Sequence, residues 1–365
     1  MKKKIRNIGI CLLVILWLSL TLCLWFGPRQ TLSESERRPL AQAPEFTADS
    51  FLNGNFFKNF EDFSLDQFPL RDGFRTVKSL FTYYVLQQKD NNGIYLHDGY
   101  AAKLEYPLNQ SSVDYAVDKF QHIKDTYLQD SKVVMGIVPD KGYYLAPQLG
   151  YPAMDYESLF TQLQERLPWA QFVDLTGQLS VKDYYRTDTH WRQEQLLPVA
   201  GALCEALGVS SPQADAFTAT TLDRPFYGVY YGQAALPMEP ETITLMESDW
   251  LSDCRVYNHE TGSYAEVYDM TKLDSQDLYD VYLSGAQALL TIENPNAPQD
   301  KELIVFRDSY GSSIVPLLCE NYGKVTLVDL RYISSQMLGE YLDFHRQDVL
   351  MLYSTLILNS SKTLK

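Results

Sequence analysis

Nineteen consecutive uncharged, mostly apolar residues, 8–26, stand directly behind Lys2, Lys3, Lys4 and Arg6. As a helix this run reaches about 28 Å, close to the roughly 30 Å hydrocarbon thickness of a bilayer. Basic residues ahead of a span hold that end in the cytoplasm. The expectation is therefore a single-pass cell-membrane protein, with residues 1–27 forming a cytoplasmic tip and transmembrane signal anchor and everything beyond Gly27 outside. A cleaved signal peptide is the competing reading, but the run exceeds the usual apolar region of about 7–15 residues and no small-x-small site follows it. Leu20-Thr21-Leu22-Cys23 loosely resembles a lipobox, although Leu22 is large for the position before a modified cysteine.

Topology splits the charge. The chain carries 31 basic and 46 acidic residues, and its first 27 residues hold four of the former and none of the latter. The exported part is left with 27 against 46, a formal −19. So acidic a surface excludes nucleic acid as a partner, because phosphate recognition needs a basic one. Cys11 and Cys23 fall in the apolar run, leaving Cys204, Cys254 and Cys319 outside, enough for at most one disulfide. No CxxC spacing occurs, and neither a metal nor a cofactor is implied.

Residues 28–90 read as a membrane-proximal linker followed by a helical segment. Pro28, Pro39 and Pro44 mark the linker, and Phe56, Phe57, Phe60, Phe63, Val77, Leu80, Phe81 and Tyr84 recur at helical period on either side of Phe68-Pro69. Residues 91–365 read as one large domain. A hairpin is expected over 94–103 and helices over 111–129, 155–166 and 192–207. Short apolar runs at 133–138, 172–175, 302–306, 324–328 and 348–353 alternate with helical stretches, the pattern of an α/β fold with a parallel sheet covered by helices on both faces. Residues 215–270, rich in Tyr, Gly and Thr, read as a β-rich antiparallel insertion.

Two segments carry chemistry. In Thr187-Asp188-Thr189-His190-Trp191, Asp188 and His190 sit two apart, so an extended or turn conformation points both side chains one way. A carboxylate so placed fixes the imidazole tautomer, the task of the acid in a Ser-His-Asp triad; the alternative is a capping Asp188 beside an ordinary surface histidine. In Leu303-Ile304-Val305-Phe306-Arg307-Asp308-Ser309-Tyr310-Gly311, an apolar strand runs into a small-residue turn and then a helix expected over 313–322. That arrangement presents Ser309 where open α/β sheets hold their sites, with the Ser309 and Tyr310 N–H groups placed for an oxyanion. Here the alternative is that Asp308 and Ser309 merely cap the helix. Taken together the segments supply a serine, a base and an acid to orient that base. A metal at Asp183, Asp188 and His190 is a further alternative, but so local a cluster is rarely complete.

The block 187–191 followed by Asp308-Ser309-Tyr310 resembles the SGNH-hydrolase-like domain of alginate O-acetyltransferases and, more closely, the DHHW protein family. Glu36-Arg37-Arg38-Pro39-Leu40-Ala41, Gly54-Asn55-Phe56-Phe57 and Asp66-Gln67-Phe68-Pro69-Leu70-Arg71-Asp72 extend that resemblance to about residues 34–355. It implies a circularly rearranged SGNH-hydrolase-like fold with Ser309 as nucleophile, His190 as general base and Asp188 as orienting acid. Arg307 stands where the family pattern has glycine, and Gly285 lacks the asparagine that often follows it.

The resulting expectation is a membrane-anchored extracellular O-acyltransferase, O-acetyl by resemblance, acting through an acyl-serine on a cell-surface or secreted polysaccharide. The resemblance adds a membrane-bound O-acyltransferase partner as acetyl donor. Gly285 and Tyr310 are the further oxyanion candidates. Trp191 and Lys141 are candidate substrate contacts, with core packing the alternative for Trp191 and for the pairs Tyr143-Tyr144, Tyr184-Tyr185 and Tyr230-Tyr231. The rival functions are a carbohydrate acetylesterase using the same triad and a non-catalytic polysaccharide-binding or assembly protein with this fold.

Overall fold

The structure, a computed structural model, describes residues 2–365. Helix α1 (Lys2–Phe26) is long and apolar enough either to cross a membrane or to serve as a signal sequence. The chain divides into two compact units, residues 1–92 with 231–237, and residues 93–230 with 238–365.

In the first unit, strands β1 (Leu32–Ser33) and β2 (Arg38–Pro39) pair antiparallel, and helices α2 (Ala48–Leu52), α3 (Asn55–Asp66) and α4 (Arg71–Leu80) follow. Thr47 caps α2 in a reciprocal box with Ser50. The Arg38 guanidinium grips Asp66 through two bonds of 2.8 and 2.6 Å and holds that carboxyl below its ordinary range. Glu36 pairs with Arg38, Arg71 and Arg75. The Glu36-Arg37-Arg38-Pro39 segment is thus fastened to α3 and α4 by partly shielded charge pairs.

The second unit is built on an eight-stranded mixed sheet. After the hairpin β3 (Ile94–His97) and β4 (Tyr100–Lys103) come α5 (Gln110–Tyr127), β5 (Val133–Val138), α6 (Lys141–Leu149), α7 (Tyr156–Arg166), β6 (Ala170–Val173) and α8 (Leu197–Leu207). Strands β7 (Thr218–Thr221) and β8 (Thr244–Glu247) form a separate antiparallel pair. Strands β9 (Arg255–Asn258), β10 (Ser263–Ala265), β11 (Leu289–Glu293), β12 (Glu302–Arg307), β13 (Lys324–Val328) and β14 (Asp348–Ser354) complete the main sheet, in the order β10-β9-β11-β13-β12-β14-β5-β6. Its last five members are parallel. Counted from β12 and wrapping back through the chain start, they lie in the doubly wound order 2-1-3-4-5. This is the circular rearrangement that the resemblance implies.

Period-two alternation supplies both faces. Val134, Val138, Leu303, Val305, Leu350 and Leu352 pack with α8, whereas Val133, Met135, Ile137, Ile304, Phe306, Val349 and Met351 pack with α5 and α7. Helices therefore cover both sides of the parallel part, as expected. One revision concerns the insertion. Its β9 and β10 are antiparallel, as the pattern suggests, yet they extend the main sheet through β11, which makes the sheet mixed. A second concerns 313–322, where a single α turn, Gly311–Ile314, gives way to a 3-10 helix over Val315–Asn321 with Pro316 at its start. Cys204, Cys254 and Cys319 are free and buried in the core rather than bridged.

Candidate active site

The segment 183–192 closes on itself. Tyr184 and Trp191 form an antiparallel bridge, the Tyr185 N–H donates to the His190 carbonyl at 3.0 Å, and the Arg192 N–H donates to the Asp183 carbonyl at 2.8 Å. Asp188, Thr189 and His190 occupy the tip of this narrow loop. Ser309 follows β12 by two residues, at the carboxyl end of a parallel strand flanked by β13 and β14. Asp308 fastens that turn, accepting the Tyr310 N–H at 3.0 Å and the Ser354 N–H, from the end of β14, at 2.8 Å. The capping alternative therefore describes Asp308 but not Ser309.

The loop and the turn meet. His190 Nδ1 donates to Asp188 Oδ1 at 2.6 Å, and His190 Nε2 lies 2.8 Å from Ser309 Oγ. With the ring proton drawn to Nδ1 by the carboxylate, Nε2 presents its lone pair to the serine hydroxyl. Asp188 is fully buried and its charge is met by further donors, the His190 N–H at 3.0 Å and the Val229 N–H at 2.7 Å. The Tyr279 ring stacks on the imidazole at 4.0 Å with an 8° interplanar angle, fixing its plane. Ser309 is partly exposed, so its hydroxyl reaches solvent while Asp188 and His190 beneath it are buried.

Gly228 makes the approach possible, since a Cβ there would lie 2.3 Å from the Asp188 Cα. Gly228→Ala is expected to push Asp188 out of line and cost about 100-fold in turnover, the penalty of a misplacement near 1 Å. Ester-hydrolysis kinetics beside a thermal melt separate that loss from unfolding.

The other candidates from the sequence play different parts. Trp191 is fully buried, its Nε1 donating to the Tyr310 carbonyl at 3.1 Å and to Ser313 Oγ at 3.0 Å; it clamps the histidine loop to the serine turn instead of facing substrate. The Tyr310 N–H is spent on Asp308, and the Gly285 N–H donates to the Tyr282 carbonyl at 3.1 Å, so neither is offered to an oxyanion. Among the described residues the Ser309 N–H has no assigned acceptor and is the donor left at the turn. Arg307 is fully buried under the turn, where Nη1 reaches the Asp308 carbonyl at 3.3 Å, Ser312 Oγ at 3.2 Å and Asp329 at 3.6 Å. Gly311 leaves room for it. The arginine in place of the family's glycine therefore supports the turn from below.

Lys141 is also buried, not poised for substrate. Its Nζ donates to the Tyr185 and Arg186 carbonyls at 2.8 and 3.2 Å, gripping the entry to the histidine loop. Burial pushes its pKa down to about 7, against the pull of Asp188, Glu241 and Asp140. Between that value and the ordinary lysine value the unfolded chain binds the extra proton, so the amine's contribution to stability rises with pH across this window. Lys141→Met is expected to lower stability by about 2–4 kcal/mol, and the deficit should widen from pH 7 to 9 in urea titrations.

Tyr279, Gly228 and Val229 were not legible as site residues. Only the tyrosine density of the region around the insertion hinted at them, and no local spacing ties them to His190.

The fold and this hydrogen-bond chain define a doubly wound α/β protein with a Ser-His-Asp constellation at its switch point. Residues 177–328 match the family model described as DHHW protein, which bears out the resemblance. No curated protein sequence matches the chain. Among solved structures it is similar to a DHHW family protein from Eubacterium siraeum, 20% identical, with a TM-score of 0.61 over 75% of this chain and 94% of that one. It is also similar to Bacillus cereus PatB1 with a sulfonyl adduct, 17% identical, TM-score 0.56, over 73% and 95%. A third, the O-acetyltransferase domain of Pseudomonas putida AlgJ, is 16% identical with a TM-score of 0.46 over 73% and 92%. At these identities the likeness is one of fold.

Proposed function

We propose that this chain is a membrane-anchored extracellular O-acyltransferase, acetyl groups being the cargo, that modifies a cell-surface or secreted polysaccharide through an acyl-serine. The observation that carries the reading is the continuous chain from Asp188 through His190 to Ser309. His190 Nε2 takes the Ser309 proton as Oγ attacks the donor carbonyl, and the Ser309 N–H faces the negative charge that forms on its oxygen. The imidazolium, held by Asp188, returns the proton to the departing group. A sugar hydroxyl then attacks the acyl-serine with His190 again as base, releasing the ester and the free serine. Acetyl-CoA is cytosolic, so the donor on the outer side is an acetyl group passed on by a membrane-bound O-acyltransferase partner.

PatB1 is described with a sulfonyl adduct; a sulfonyl fluoride is expected to modify this chain at Ser309 and to leave His190→Ala largely unmodified. The test of function uses the full chain in detergent with a chromogenic acetyl ester and an oligosaccharide acceptor. Acetylated oligosaccharide from wild type, and none from Ser309→Ala, is the expected result. Free acetate as sole product, with acceptor present, would make the chain an esterase. Equal activity in both proteins would remove the triad altogether.

A further inference from the structure

The first unit exposes apolar side chains out of proportion to its size. Among the described residues, 13 large hydrophobic side chains are exposed between residues 28 and 92, against seven beyond residue 92, all of those Tyr or Met. They are ordered. Along α4 and the turn of π-helix that continues it over Phe81–Val85, Leu70, Phe74, Val77 and Phe81 recur at helical period and are 78%, 49%, 63% and 52% exposed. Arg71 and Arg75 occupy the other side of the same helix, engaged with Glu36. Phe51, Leu52 and Phe57 add a second exposed apolar cluster on α2 and α3. A soluble surface rarely tolerates such a patch uncovered.

The same helices are fastened to the outer end of α1. The Trp25 and Phe60 rings meet at 5.7 Å, and the Arg29 guanidinium closes α1 through the Leu24 and Trp25 carbonyls while lying 4.6 Å from the Phe63 ring centroid. Gln67 exchanges two further hydrogen bonds with the Gln30 backbone. With α1 as the span, α3 is held at headgroup depth. Charge agrees: residues 28–90 carry eight basic and nine acidic side chains, whereas residues 91–365 carry 19 and 37. The near-neutral segment meets no electrostatic barrier at an anionic leaflet, as the acidic domain would.

We propose that α2, α3 and α4 form a membrane-interface platform whose apolar stripe, from Leu52 through Leu70, Val77 and Phe81, lies in the outer leaflet of the bilayer that α1 spans. Phospholipid is the occupant. Interfacial helices bury their apolar face roughly 5–10 Å into the headgroup and acyl boundary, the depth at which Trp25 and Arg29 hold α3. The proposal rests on α1 being an uncleaved span.

The full chain is reconstituted into phosphatidylglycerol–phosphatidylethanolamine vesicles doped with a phospholipid bearing a diazirine on its acyl chain. After irradiation, the adducts are mapped by peptide mass spectrometry. Adducts over 8–26 together with adducts over 48–57 and 70–86 are expected. The double variant L70E/V77E, at exposed positions, should lose the 70–86 adducts and keep those over 8–26. Adducts confined to 8–26 would overturn the platform while leaving the span intact, whether a second protein copy or the other unit shields the stripe. Absence of adducts over 8–26 would overturn the span and the platform together. Retention of the 70–86 adducts in the double variant would also contradict the stripe.

Discussion

Ser309→Ala and His190→Ala are each expected to cut turnover of an acetyl ester by about 10⁴-fold or more, and the double variant should lose little beyond either single one. In the proposed mechanism the two groups act as one device. A serine hydroxyl is unreactive at its own pKa, and on this mechanism the 2.8 Å contact to His190 Nε2 would let it lose its proton as it attacks. Without Ser309 the base has nothing to activate; without His190 the nucleophile stays protonated. Asp188→Asn should approach the same loss for another reason, because an amide cannot hold the Nδ1 proton as the carboxylate does at 2.6 Å. Losses below tenfold in all three would mean that another group attacks. Thermal melts on the same preparations show whether the fold persists. It is expected to for Ser309, which is partly exposed.

The second large effect is alkaline. Tyr184, Tyr185, Tyr282, Tyr310 and Tyr353 are fully buried and burial raises each pKa well above the ordinary tyrosine value. In the unfolded chain they ionise near pH 10, so above that pH the unfolded state releases protons that the folded state retains. Stability is fully present below about pH 10 and falls as pH rises beyond it, by about 1.4 kcal/mol per tyrosine per pH unit. Five such groups cost about 7 kcal/mol at pH 11, comparable with the whole stability of an ordinary domain. Unfolding between about pH 10.5 and 11.5 should be cooperative, with tyrosinate absorbance rising in step with loss of ellipticity. A smooth tyrosine titration near pH 10 with ellipticity unchanged would contradict this burial.

The same tyrosines show what the sequence could and could not tell. Their excess is a compositional fact, yet half of the paired ones, Tyr184, Tyr185 and Tyr230, lie in the interior, while Tyr143, Tyr144 and Tyr231 are half-buried. Composition alone does not separate a stacking surface from a core. Strands β5, β12, β13 and β14 were legible because each is buried on both faces and reads as a largely apolar run, whereas the edge strand β6 is only half-buried. β11 was not singled out, and the pairing of β9 and β10 with it was not legible, since strand partners are set by tertiary contacts and not by local preference. Asp188 and His190 were readable because their spacing is itself the geometry. Gly285, Trp191 and Lys141 were misplaced as oxyanion or substrate contacts because burial and hydrogen-bond commitment depend on the whole fold. Trp191 clamps, Lys141 grips a loop entry, and the Gly285 N–H closes a turn.

The acyl-serine is the central claim, and rapid quenching of the full chain with an activated acetyl ester tests it most directly. Peptide mass spectrometry of the acid-quenched protein should find one acetyl group on Ser309, accumulating within the first turnover in wild type and absent from His190→Ala. Turnover with Ser309 unmodified at every time point, or an acetyl group on a different residue, would contradict it.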